Sequence, residues 1–183
     1  MECRQSHATM VACSPVSMRT LFLLLLLAPP DLTRPAAESF QPLFIIERSL
    51  NANVVHYDAR IDRKGELDSS APVVAYWIMA AEDGRRQELN AIERNTAYGF
   101  TVQRDSSGAF YRMALAAQKK REILVRLDGA AARAEMLIGG HRAYLRKIYI
   151  SAGRLPVVHL VHYVELFGID ASTGENRYEK VLP

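Results

Sequence analysis

Towards the C-terminal end of the chain, His159, His162 and Glu165 form the one close grouping of histidine with a carboxylate. Two imidazoles and a carboxylate could hold a zinc ion or relay a proton. The stretch reads as a strand, where residues three apart point to opposite faces. His159 and Glu165 then share a face and His162 lies on the other, so no local metal site forms without a bulge. Two partly buried strand histidines are the simpler account, and no metal and no cofactor are expected. An enzyme built here would use Glu165, His159 and Tyr163 for proton transfer. The series Asp170, Ser172, Gly174 and Glu175 has the flavour of a calcium loop. Its spacing departs from the EF-hand pattern and the acid at the twelfth position is missing. An Asx-type turn accounts for it better. No nucleophile elbow, P-loop, dinucleotide fingerprint or H-E-x-x-H helix occurs. These absences weigh against an enzyme. The aromatic residues Tyr76, Trp77, Tyr98, Tyr111, Tyr149 and Tyr163 carry polar handles that need partners when buried. They form either a hydrogen-bonded core network or the wall of a concave site. In the second case Trp77, Tyr98 and Tyr163 would line it. Arg94 would supply a cation and Glu165 would share the face of Tyr163, which together suits a small amphipathic anion.

Those side chains must be positioned by strands. Short apolar runs follow one another from Leu43 onward: Leu43–Arg48, Asn53–Asp62, Val73–Ala81, Tyr98–Arg104, Ala109–Ala117, Glu122–Asp128, Ala131–Ile138, Ala143–Ser151 and Pro156–Ile169. Val55, Tyr57, Ala59 and Ile61 alternate with His56, Asp58 and Arg60. Ile123, Val125 and Leu127 alternate with Glu122 and Arg126. A period of two marks a half-buried strand. Gly65, Gly108, Gly129 and Gly140 each sit between two runs, where a hairpin needs positive φ. The expected fold is all-β and mostly antiparallel, with eight or nine strands in a small barrel or sandwich. One segment differs. Leu89, Ile92 and Ala97 recur at helical spacing, which predicts a short amphipathic helix over Gln87–Ala97. The stretch from Pro156 to Phe167 is apolar on both faces, which predicts a central strand. Small inward residues (Ala109, Ala117, Ala132, Ala134) share their faces with bulky ones (Met113, Leu115, Met136, Ile138). The pattern leaves open whether the interior is filled or holds a ligand.

The first 37 residues read differently. Arg19 precedes the apolar run Leu21–Ala28, and Pro35-Ala36-Ala37 offers small residues for cleavage. This is the layout of a secretory signal peptide, too short for a membrane span. The expected organisation is an extension and leader over 1–37 and a single β-rich domain over 38–183, exported to the periplasm or the exterior. Both cysteines, Cys3 and Cys13, fall in the leader, so the domain has no disulfide, thiolate nucleophile or cysteine ligand. The net charge of +3 is weak. Lys119-Lys120-Arg121 is the only basic cluster along the chain and reads as a solvated turn. A nucleic-acid partner is therefore not expected.

Several stretches resemble the bacterial exported family catalogued as domain of unknown function 4833. They are Leu43-Phe44-Ile45-Ile46-Glu47-Arg48 into Asn51, and Tyr76-Trp77-Ile78 followed by Gln87-Glu88-Leu89, Ile92, Arg94 and Ala97-Tyr98-Gly99. The closing stretch Tyr163–Asp170, then Thr173-Gly174 and Pro183, is similar too. The resemblance implies an exported domain of this size and supplies no activity. Two readings lead. One is a module that binds a small apolar or amphipathic ligand. The other is an interaction or structural module of the cell envelope, with a filled core and a partner protein. The proton-transfer enzyme stands third.

Overall fold

The computed structural model describes residues 38–154 and 159–183, without the side chains of Arg154 and His159. The expected leader and cleavage site fall on residues 1–37, outside the described residues. Among the described residues eleven strands and one short helix follow in chain order. They are β1 (Ser39–Arg48), β2 (Asn51–Ile61), β3 (Val73–Ile78), β4 (Arg86–Glu88), α1 (Ala91–Thr96), β5 (Phe100–Arg104), β6 (Tyr111–Leu115), β7 (Glu122–Asp128), β8 (Ala131–Ile138), β9 (His141–Arg154), β10 (His159–Asp170) and β11 (Asn176–Val181). A single 3-10 turn, Ala116–Gln118, joins β6 to β7.

The long strand β9 organises the sheet. One of its edges carries β10, paired antiparallel from Ala143 to Arg154. Its other edge is shared. β8 pairs antiparallel with the first residues, up to Tyr144, and β1 pairs parallel with Lys147–Ile150. Two wings fork from this edge, β1-β2-β3-β4 and β8-β7-β6-β5, and the sheet curls into a half-barrel. At the fork a side chain substitutes for the missing ladder. The Gln41 amide donates to Ala130 O at 3.0 Å, and its Oε1 accepts from Ala132 N at 2.7 Å. Buried backbone groups need such partners wherever strands diverge.

The alternation read from the sequence sets the inward face. Val55, Tyr57, Ala59 and Ile61 of β2 are buried, as are Ile123 and Val125 of β7 and Ala132, Ala134, Met136 and Ile138 of β8. They join Leu43, Phe44, Ile46, Met113, Leu145 and Leu166 in one core. Each large side chain so buried contributes about 1.5–3 kcal/mol, enough to fix strand register against a one-residue slip. Gly65, Gly108, Gly129 and Gly140 all take positive φ between antiparallel neighbours.

Three expectations are corrected. The helix covers only Ala91–Thr96; Arg86–Glu88 instead extend the sheet as β4, antiparallel to Tyr76–Ile78. Asn90 sets the boundary. Its Oδ1 accepts from Glu93 N and its own N–H donates to the Glu93 carboxylate, a capping box that stops the helix from starting earlier. Ile92 is 75% exposed, and the buried residues Leu89 and Tyr98 pin the helix from either side. The second correction is β11, absent from the expected strands. Its residues alternate only between exposed and half-buried, so no apolar period announces it. The third concerns β10. It is central only from Val164, where β11 begins to pair. Before that point Leu160 and Val161 are exposed on an edge.

Candidate functional site

The interior aromatic residues form a chain of contacts across the half-barrel. The Tyr57 ring stacks on Phe44 with centroids 4.5 Å apart and meets Phe100 edge-on at 6.0 Å. Its hydroxyl donates to the carbonyl of Tyr98 at 2.6 Å. The Tyr98 ring stands edge-on to Trp77 at 5.0 Å, and its own hydroxyl accepts from Arg48 Nη1 at 2.9 Å. Burial holds the Tyr57 and Tyr98 hydroxyls above the ordinary phenol range, so both stay protonated and act only as hydrogen-bonding groups. Tyr98 is held here by the turn after α1. Gly99 passes so close to Arg94 that a Cβ would lie 1.4 Å from the Arg94 carbonyl oxygen. Only glycine permits that approach.

Of the residues expected to share one site, the structure brings Trp77 and Tyr98 together. Arg94 is exposed and lies 3.7 Å from Glu88, while the cation on Tyr98 is Arg48. Tyr163 and Glu165 occupy the outer face of β10, because their neighbours Val164 and Leu166 face the core. There the Lys180 ammonium sits 3.7 Å from the Tyr163 ring centroid, and Glu165 accepts from the Tyr178 hydroxyl at 2.8 Å. The interior pair and the outer pair are thus on opposite faces of the sheet. His162 is exposed, and the His159 side chain is outside the described residues. Among the described residues no group of three or more histidines and carboxylates could hold a metal ion. The Asp170 segment is an Asx turn. Asp170 Oδ1 accepts from Ser172 N, Ser172 Oγ and Thr173 N, and Oδ2 takes Arg177.

One cleft is almost wholly aliphatic. It has a volume of about 260 Å³ and lies where β1 and β9 approach the end of β6 and the C-terminus. Ile46, Ile148 and Ile150 form its floor, Val161 and Val164 of β10 one wall, and Leu115, Ala117 and Ala97 another. Val181, Leu182 and Pro183 close the rim, and Gln118 is the one polar side chain. Leu182 is 70% exposed at this mouth. Arg48 stands across the β1–β9 ladder from Ile150. Among the described residues no carboxylate lies within 4 Å of its guanidinium. Sequence reasoning missed this cleft because its lining comes from six segments, none unusual alone.

A further buried group sits on the outer face of β2. Asp58 is 5% exposed; its Oδ2 accepts from the Tyr76 hydroxyl at 2.5 Å, and its Oδ1 has no partner. Burial, then the hydrogen bond to Asp58, pushes the Tyr76 hydroxyl up to about 12. The Arg86 guanidinium covers the Tyr76 ring at 3.8 Å.

No curated protein and no solved structure matches the chain. The sequence model of one family matches residues 44–180, which span the paired strands from β1 to β11. The chain therefore belongs to the family described as domain of unknown function 4833.

Proposed function

We propose that this protein is an exported binding module for a small amphipathic anion. The ligand's apolar part would fill the aliphatic cleft and its charged group would meet Arg48. The observation that carries this reading is the cleft itself: eleven of its twelve lining residues are apolar. Its volume lies just under the usual ligand range of about 300–1,000 Å³, which favours a short chain over a drug-sized or steroid-like body. Arg48 supports the choice of an anion. Tyr98 holds one arm of the guanidinium and leaves other N–H groups for an oxyanion. Tyr98 and Trp77 are positioning residues in this account and do not touch the ligand. Export rests on the leader pattern around Leu21–Ala28, and it would place the module where such ligands arrive from outside the cell or from the envelope.

Decanoate is a suitable probe, measured by isothermal calorimetry on the mature domain. It should bind, and Val164→Trp should abolish binding by filling the cleft. Arg48→Gln should weaken binding by about tenfold, the worth of one charge-assisted hydrogen bond. Undiminished binding to Val164→Trp would refute the cleft as the site. Failure of decanoate and of shorter and longer homologues would leave the envelope interaction module as the better reading.

A further inference from the structure

Four arginines, Arg126, Arg133, Arg142 and Arg146, converge on the outer face of β7, β8 and β9. The β7–β8 ladder sets Arg126 directly opposite Arg133. Like charges opposite one another destabilise a sheet unless something answers them. Arg142 joins them through Glu135, which pairs with Leu124 on one side and Tyr144 on the other. Glu135 is 3% exposed and divides its oxygens: Oε1 accepts from Arg142 Nη1 at 2.8 Å, Oε2 from Arg126 Nη2 at 3.2 Å. One buried carboxylate therefore fixes two guanidinium groups while using one N–H of each. A guanidinium has five, so most of the donors remain for a ligand.

Arg133 is the less satisfied member. Its guanidinium lies 5.4 Å from the Tyr144 ring centroid, and its buried Nε has no hydrogen-bond partner. Among the described residues it has no carboxylate within 4 Å. Arg146, exposed two residues after Tyr144, has none either. The opposing charges nearby are Glu135 and Asp128, which accepts from the Tyr144 hydroxyl at 3.1 Å. Four arginines against two carboxylates leave a surplus of two positive charges. Asp170 also borders the hollow, and its charge is answered by Arg177 at 2.8 Å. The hollow, of about 360 Å³, is lined by Arg126, Glu135, His141, Arg142, Tyr144 and the Asp170–Ser172 turn, and Arg133 stands beside it, across the ladder from Arg126.

We propose that Arg126, Arg133 and Arg142 form a binding site for a phosphomonoester group, separate from the aliphatic cleft. A phosphomonoester carries about 1.5–2 negative charges at neutral pH, which matches the surplus. Its oxygens suit arginine forks held in place in advance, and Tyr144 offers a flat surface to the group that bears the phosphate. The same chemistry arrives on a soluble phosphorylated metabolite or on a lipid headgroup, and the two sources can be told apart.

The probes are glycerol 3-phosphate, followed by calorimetry with glycerol as control, and vesicles with and without phosphatidic acid, followed by co-sedimentation. Glycerol 3-phosphate should bind and glycerol should not. Arg133→Gln should weaken binding about tenfold or more, with Arg133→Lys intermediate because it keeps the charge and loses the fork. Arg133 has no carboxylate partner to orphan, so its variants should keep their melting temperature, which shows that a lost signal is not lost fold. Arg85→Gln, in an exposed loop, should change nothing. Val164→Trp, which fills the aliphatic cleft, should leave phosphate binding intact, so the two proposals fail separately. Binding to phosphatidic acid vesicles but not to glycerol 3-phosphate, with the same loss in Arg133→Gln, assigns the site to a lipid headgroup. Binding of neither probe, or equal losses in Arg133→Gln and Arg85→Gln, overturns the proposal.

Discussion

Asp58 shows how a single polar residue constrains its neighbours. The side chain is buried on a face where the flanking His56 and Arg60 reach solvent, and among the described residues its one hydrogen bond comes from Tyr76. Tyr76→Phe should therefore cost about 1–3 kcal/mol, since it leaves the carboxylate with no donor at all. The double change Tyr76→Phe with Asp58→Leu should recover much of that loss, because two apolar groups have nothing to desolvate. Urea denaturation of the unaltered protein and the two variants tests both statements. Gly99 makes the opposite argument, from space rather than polarity. A Cβ there would overlap the Arg94 carbonyl, which is backbone and cannot rotate away. Gly99→Ala should destabilise by at least about 3 kcal/mol, seen as a lower urea midpoint or the loss of soluble protein. Gly129→Ala, whose surroundings are open, meets only the strain of its positive φ and should cost less, about 1–2 kcal/mol.

At the scale of elements, the turns share one device. Asp68, Asp105 and Asp170 each accept hydrogen bonds from the serine two residues on, through its backbone N–H and its hydroxyl. These bonds, led in each case by the serine hydroxyl, hold Asp68 and Asp105 at about 2 and Asp170 lower still. The unfolded chain returns them to about 3.9. A carboxylate whose pKa is depressed on folding stabilises the fold above its unfolded value. That contribution disappears as pH falls through the folded value. The melting temperature should drop between about pH 4 and pH 2, and the triple Asn variant should flatten that drop. A melting curve unchanged from pH 5 to pH 2 would contradict it. The helix teaches a different lesson. Six residues cannot sustain a helix alone; α1 persists because its capping box and the buried Leu89 and Tyr98 hold both ends.

For the whole molecule, the decisive feature is the fork at β9, where two wings share one strand edge. Gln41 bridges the divergence with both ends of its amide. Gln41→Ala should cost about 1–3 kcal/mol by leaving Ala132 N–H unpaired, lowering the urea midpoint with little change in its slope. The sequence by itself determined the all-β class, the hairpin glycines and the inward face of β2, β7 and β8, because strand alternation and turn chemistry are local and repeat every two residues. It also grouped Trp77 with Tyr98, whose rings the structure sets edge-on. It could not reveal β11, whose residues have no apolar period, nor the stop that Asn90 sets for α1, which depends on a reciprocal pair of hydrogen bonds. Only the tertiary structure decided that β1 runs parallel to β9, since that contact joins residues about a hundred positions apart. The same long-range pairing put Arg48 rather than Arg94 on Tyr98 and turned Tyr163 and Glu165 to the outer face. It also gathered Arg126, Arg133 and Arg142 from three strands into one patch, although no basic run in the chain announces it. Local interactions choose strand and turn. Which strands become neighbours is settled by burying one continuous apolar face, a free energy that belongs to the assembled sheet and to no segment of it.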